Sequence, residues 1–313
     1  MTPPTPTPQP TPQPTPQPTA SPLLPWLQLV RLPTVFTALA DILLGSLLVP
    51  PAVGVDRLPL LGLLLAASAG LYLSGMVFND VFDRDRDAVE RPGRPLPSGR
   101  IRLGAAVFLG VLLMSGGVAA ATTVSQRTGS PASLCIAVAL AACVLAYDAW
   151  LKSTPLGPVA MGACRSLNVL LGATIAGSFQ SLGQGPPLHV SVGMGLYIAG
   201  VTWFARNEAG TSNQRQLTAA VLLINTGLAT LITFAGLATT DIDQNATTSV
   251  LMLMALIVVS INRRLIAAIR DPRPERVQSG VGILLLSLVM IDATLALAAS
   301  GETAPALVIA ALL

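Results

Sequence analysis

Charge is what this chain lacks most. Only 11% of its 313 residues are Asp, Glu, Lys or Arg, against about a quarter in an ordinary soluble domain. Aromatic residues make up only 4%, and there is one histidine. That histidine, His189, lies in the loop "GQGPPLHVS" with no second His or Cys near it, which argues against a histidine-based metal centre. The three cysteines, Cys135, Cys143 and Cys164, all fall in apolar segments. They read as small core residues rather than a disulfide or metal set. The net charge of +3 is spread over loops with no basic run interleaved with aromatics, so nucleic acid is not an implied partner.

The N-terminal segment lacks everything a folded element needs. Residues 1–22, "MTPPTPTPQPTPQPTPQPTASP", carry proline at a density that forbids helix and sheet and favours extended polyproline. A disordered Thr/Pro/Gln-rich tail is expected there, acting as a spacer or as a docking motif for a partner. It has no basic stretch followed by an apolar core, so it does not read as a signal peptide.

What the chain does have is apolar mass: 52% of residues are hydrophobic. Apolar windows recur at Trp26–Val49, Leu58–Phe78, Leu103–Val124, Pro131–Ala149, Leu156–Phe179, Val190–Phe204, Leu217–Ala238, Thr247–Ile261 and Val281–Ala299. A perpendicular span needs about 20 residues, so these predict an all-α, polytopic bundle of nine membrane-spanning helices. The closing apolar stretch Ala304–Leu313 is too short to span. Arg31, Arg84–Arg102, Lys152, Arg206, Arg215 and Arg263–Arg276 fall on one side of this alternation, and only Arg57 and Arg127 on the other. By the positive-inside rule the first side is cytoplasmic. The N-terminus is then expected inside and the C-terminus outside, in a bacterial inner membrane.

The scarce charge is concentrated at one point, "NDVFDRDRDAVERPGRPLPSG" (Asn79–Gly99), where the second window ends. On a helix with Asn79 as origin, Asp80, Asp83 and Asp87 fall near about 100°, 40° and 80°, an arc of roughly 60°, while Asp85 falls near about 240°. Three carboxylates on one face repel each other unless a cation is held between them. Oxygen ligands without His or Cys suit Mg²⁺, usually with substrate phosphates completing its shell. Arg91, Arg94, Arg100 and Arg102 follow and suit a polyanion, since a guanidinium grips phosphate oxygens in pairs. The prolines of "RPGRPLP" force a loop. The cluster therefore reads as a metal and diphosphate site at the mouth of a helix bundle, or as a solvated loop with salt bridges.

These residues resemble a known family. Asn79, Asp80, Asp83 and Asp87 spell NDxxDxxxD, and "RPGRPLPSGRI" is similar to the Arg-Pro-rich sequel of that motif in the UbiA superfamily of intramembrane prenyltransferases, most of all its bacterial EboC-like branch. "YDAWLKSTPLGP" (Tyr147–Pro158) is similar to the tyrosine and basic segment after the family's fourth helix, and "RLPTVFTALAD" (Arg31–Asp41) resembles its first helix. The resemblance implies nine helices around a central cavity, over residues 23–313. It implies Asp80, Asp83 and Asp87 as Mg²⁺ ligands and Asn79 with them at the diphosphate of an isoprenyl donor. Tyr147 and Lys152 would stand on the diphosphate side, with Arg94 and Arg100 neutralising its oxygens. The donor's chain would lie among apolar side chains reached from the membrane lipids, with Tyr72, Tyr147 or Phe78 facing an allylic cation. A lipophilic or aromatic acceptor would then be prenylated.

One part of the pattern is missing. Where the family carries a second aspartate-rich motif, this chain reads "TWFARNEAGTSNQRQL" (Thr202–Leu217), with Glu208 as its single carboxylate and Asn207 and Ser212 nearby. Glu208 is expected to supply part of a weak second metal shell. The departure keeps a second reading open, a protein that binds a prenyl lipid without turning it over. Asp41, Arg165, Asn168 and Asp292 lie inside apolar spans, where ionisable groups should face the bundle interior. Arg165 and Asn168, three residues apart, are candidates for one cavity wall, or for a structural pairing of Arg165 with Asp41 or Asp148.

Overall fold

Proline fixes where many of the helices begin. It lacks the N–H that a first turn leaves unpaired in any case, and Pro25, Pro59, Pro158, Pro186 and Pro274 each stand at the first or second position of a helix. Gly129 and Gly301 end two helices in the left-handed conformation, both at φ 69°, which glycine adopts without a Cβ penalty. A computed structural model describes residues 23–50, 55–206, 210, 212–239 and 244–312. The expected tail, residues 1–22, and the second-motif residues Asn207 and Glu208 lie outside the described residues.

The helices are α1 (Leu24–Val30), α2 (Val35–Leu47), α3 (Leu58–Phe82), α4 (Arg84–Glu90), α5 (Leu103–Thr128), α6 (Ala132–Ala149), α7 (Gly157–Ala173), α8 (Pro186–Ala205), α9 (Gln214–Ala238), α10 (Gln244–Arg270), α11 (Pro274–Ser300) and α12 (Thr303–Ala310). Among the described residues nine spans are long and apolar enough to cross a membrane, α1 and α2 together forming the first. The chain is an integral, multi-pass, all-α membrane protein. Each spanning helix packs on the next in chain order, and α11 closes back on α2. Helix α2 also crosses to α7, so first, fifth and last spans meet inside the ring.

Two differences from the sequence reading bear on the site. The first window is broken: α1 ends at Arg31, which takes a left-handed backbone (φ 47°), and a 3₁₀ turn over Leu32–Thr34 precedes α2. Pro33 has no N–H to carry a helix through. The charge cluster is interrupted as well, because Asp83 stands between α3 and α4 with ψ 2°. Elsewhere α10 runs on past Ile261 to Arg270, and α11 starts at Pro274. Arginines at these helix ends can lay their stems along apolar surface while their charged heads reach water.

Close packing rests on small residues. A Cβ built on Gly172 would meet Ile42 O at 2.5 Å, and one on Gly45 would collide with Val169 O. Helices α2 and α7 therefore touch backbone to backbone, as small residues allow in a bilayer.

Candidate active site

Inside the ring lies a cavity of ≈ 670 Å³. Its mouth is polar, with Asn79, Asp83, Arg86, Asp87, Arg91, Lys152 and Arg206 in the wall. Below it the lining turns apolar, through Met76, Val144, Met161, Ile198 and Leu288 among others. Tyr72 and Tyr147 line it, whereas Phe78 packs towards Gly110 outside it.

The mouth is organised by ion pairs across elements. Lys152 Nζ stands 2.9 Å from Asp83 Oδ1, tying the α6–α7 connection to the end of α3. Arg94 Nη1 donates to Asp87 Oδ2 at 2.6 Å and to Asp80 Oδ1 at 3.1 Å. Asn79 Nδ2 donates to Asp148 Oδ1 at 3.1 Å. On α4 the hydrogen bond from Arg86 Nε to Glu90, 3.0 Å long, raises that guanidinium above its ordinary pKa. Asp85 is exposed and lines no part of the cavity, as the helical wheel requires.

Three carboxylates do not converge on one point. Asp80 and Asp87 share Arg94, but Asp80 opens into a neighbouring pocket of ≈ 350 Å³ lined by Gln28, Arg31, Arg91, Arg94 and Arg100. The break at Asp83 accounts for this departure from a straight helix. Arg100 belongs to that second pocket and braces the proline loop: it donates to Gly93 O at 2.5 Å, Ser98 Oγ at 3.1 Å and Gln28 Oε1 at 3.1 Å. Ser212 is buried, its N–H on Pro272 O at 3.4 Å, and is not in the cavity wall.

Arg31 is a residue the sequence reading treated only as a topology marker. Its Nη2 donates to Asp80 Oδ1 at 2.8 Å, and it lines both pockets. A left-handed non-glycine residue costs about 1 kcal/mol or more and tends to mark functional positions. The signal available beforehand was an arginine two residues before a proline at the start of an apolar helix. Asp148 was missed as a partner of Asn79 for a simpler reason: nothing in sequence spacing places α6 against α3.

Deeper in the cavity lies a second polar group. Arg165 Nη2 stands 2.8 Å from Asp41 Oδ1 and 3.5 Å from Asp292 Oδ2, so its acidic partners are Asp41 and Asp292, and Asp148 takes no part. Asn168 Nδ2 donates to Asp41 Oδ2 and to Ala38 O, each at 2.9 Å, and its Oδ1 accepts from Ser68 Oγ at 2.7 Å.

The mouth residues fit Mg²⁺. Asp80, Asp83, Asp87 and Asn79 are hard oxygen donors, and the ion pairs above engage one oxygen of each carboxylate. Among the described residues no three acidic, His or Cys side chains form a ready cage. Magnesium would therefore be held by one or two carboxylates together with substrate phosphates, its usual arrangement.

Comparison with known proteins bears on the family and the fold. The profile of the UbiA prenyltransferase family matches residues 34–313. A digeranylgeranylglyceryl phosphate synthase from Methanoculleus marisnigri is 37% identical over 119 residues, 37% of this chain and 40% of that protein. One from Methanopyrus kandleri is 39% identical over 84 residues, 26% and 28% of the two chains. The match thus spans at most about two fifths of the length of these relatives. A solved digeranylgeranylglyceryl phosphate synthase superposes with TM-score 0.66 at 19% identity, covering 90% of this chain and 99% of the other. A UbiA homolog from Archaeoglobus fulgidus bound to DMAPP and Mg²⁺ gives 0.63 at 15% identity, covering 92% and 99%.

Proposed function

From a chain that belongs to the UbiA prenyltransferase family, we propose Mg²⁺-dependent transfer of an isoprenyl group from its diphosphate to an acceptor inside the membrane. The observation that carries the reading is the Asp83–Lys152 pair at 2.9 Å, set with Asn79 and Asp87 at the mouth of a cavity whose walls turn apolar. Acid and base stand side by side where a metal-bound diphosphate needs both. That the fold's neighbour from Archaeoglobus fulgidus binds DMAPP and Mg²⁺ supports the same assignment.

Asp83 and Asp87, with Asp80 beside them, would hold the metal, and Asn79 would orient the diphosphate. When bound, Mg²⁺ would supply positive charge against the diphosphate and so favour its departure. Lys152, Arg94 and Arg206 add positive charge around the leaving oxygens. The acceptor's nucleophile forms a bond to C1 as the C1–O bond to diphosphate breaks. The electron pair leaves with the diphosphate, which takes up the acceptor's proton. Tyr72 and Tyr147 line the cavity where their rings would stabilise the developing allylic cation, and the apolar wall excludes water that would otherwise capture it. Glu208 is retained as a weak second acidic group, with Asn207 next to it in the sequence.

The arginine-rich end of the bundle faces the cytoplasm in this reading, by the positive-inside rule. Purified protein given Mg²⁺, geranyl diphosphate and membrane extract should release diphosphate only when all three are present. A carrier would bind donor and release none; that result would replace the transferase by the carrier.

A further inference from the structure

Two of the three cysteines meet inside the bundle. Cys143 stands on α6 and Cys164 on α7, both free and both half-buried, while Cys135 is exposed. Cys143 Sγ donates across the α6–α7 contact to Ala160 O at 3.4 Å. Ala160 lies four residues before Cys164, so the two share one face of α7. The Cys164 thiol is in turn hydrogen-bonded to the Cys143 sulfur. Helix packing thus brings together two thiols that the sequence places in separate spans.

Their place gives the pair a consequence. Cys164 lines the cavity, as do Val144, Tyr147, Asp148 and Lys152 of the α6–α7 corner. Cys143 precedes Tyr147 by about one turn of α6. The chain between the two sulfurs therefore carries Tyr147, Asp148 and Lys152, and Lys152 holds Asp83 at 2.9 Å. A disulfide is about 2.05 Å long, shorter than any hydrogen-bonded contact between sulfurs. Its formation draws α6 and α7 together at this point and displaces the wall that both supply. Resting on the transferase reading for what the cavity takes, we propose that Cys143 and Cys164 form a reversible disulfide, a redox switch that closes the cavity to its donor when oxidised.

The oxidant is a peroxide. Hydrogen peroxide is small and uncharged, and the polar mouth gives it a path to the cavity wall where Cys164 stands. One sulfur takes an oxygen from the peroxide and becomes a sulfenic acid, while the peroxide's other oxygen leaves as water. The second sulfur attacks the first. The S–S bond forms as the S–O bond breaks, and hydroxide departs with the thiol proton as a second water. Two electrons pass from the sulfurs to the peroxide. A reducing dithiol returns both thiols by exchange. A cysteine sealed in apolar surroundings would be inert; this pair has one member on the cavity and its partner within reach.

The test uses purified full-length protein carrying Cys135→Ser, so that the pair holds the only thiols. After treatment with hydrogen peroxide, mass spectrometry of the digested protein should find Cys143 and Cys164 cross-linked. Binding of geranyl thiodiphosphate with Mg²⁺ should fall by about tenfold on oxidation, the wall having moved, and return with dithiothreitol. Cys143→Ser lies outside the cavity lining; it should bind the donor as the reduced protein does and continue to do so in peroxide. Absence of the cross-link overturns the proposal, as does a cross-link that leaves donor binding unchanged. An equal loss in Cys143→Ser overturns it too, tracing the effect to other oxidised groups such as Met76 and Met161 in the wall. Failure of the reduced protein to bind the donor analogue would sink the transferase reading by itself. The switch is then decided by the cross-link and by slower amide hydrogen exchange over residues 147–154, both measured without ligand, and the lack of either overturns it.

Discussion

Asp83 and Asp85 are two residues apart in the same charged run, yet the fold treats them oppositely. Asp83 meets Lys152 at 2.9 Å in the cavity wall, and Asp85 is exposed to solvent. Asp83→Asn should therefore weaken Mg²⁺-dependent binding of geranyl thiodiphosphate by about tenfold or more, having removed a charged metal ligand. Asp85→Asn should change it less than about twofold, as is usual for exposed sites away from such features. Equilibrium binding at fixed Mg²⁺ measures both, and equal losses would sink the assignment. This contrast was readable from helical spacing alone. The partners were not: Arg31 on Asp80 and Asp148 on Asn79 join residues 49 and 69 positions apart. Spacing on one helix says nothing about which other helix comes alongside it.

At the scale of elements, existence and order followed from hydropathy, while breaks and contacts did not. All nine windows correspond to spans, because a bilayer leaves the backbone few alternatives to helix. The interruption at Arg31–Thr34 and the stop at Asp83 are local events that averaging over a window hides. Close approach is also invisible to hydropathy, which scores glycine by polarity rather than by the space it leaves. Gly172 shows the consequence. Its Cβ position lies 2.5 Å from Ile42 O, and backbone cannot swing aside as a side-chain tip can. Gly172→Ala should destabilise the protein by about 1–3 kcal/mol through overpacking. Gly116→Ala meets nothing within 4 Å and should stay within about 0.5 kcal/mol of wild type. Thermal unfolding of the two in one detergent makes the comparison, and similar melting points would contradict the tight seam.

For the whole molecule, the question is which way the bundle stands in its membrane. The ring gathers Arg31, the Asp80–Arg102 segment, Lys152, Arg206 and the Asp271–Arg276 turn at one end, as the ion pairs Arg31–Asp80 and Lys152–Asp83, the contact from Arg206 Nη2 to Ser153 O and the bond from Ser212 to Pro272 require. Arg57 and Arg127 belong to helix ends at the opposite face. Lysine and arginine near span ends are retained on the cytoplasmic side, and the diphosphate donor, too polar to cross lipid unaided, needs its mouth on the side where it is supplied. Both arguments support the proposed orientation, with the candidate site inside. In a variant with Cys135, Cys143 and Cys164 replaced, single cysteines at Asp85 and Arg273 should react with a membrane-impermeant maleimide only after the cells are opened. Cysteines at Ser130 and Glu302 should react in intact cells. Because nine spans alternate, the four sites are not independent: an error in one span would set Asp85 and Arg273 on opposite sides. A complete reversal, with Asp85 labelled from outside, would keep the fold but move the donor site to the external face, where the charge asymmetry of the chain gives it no support.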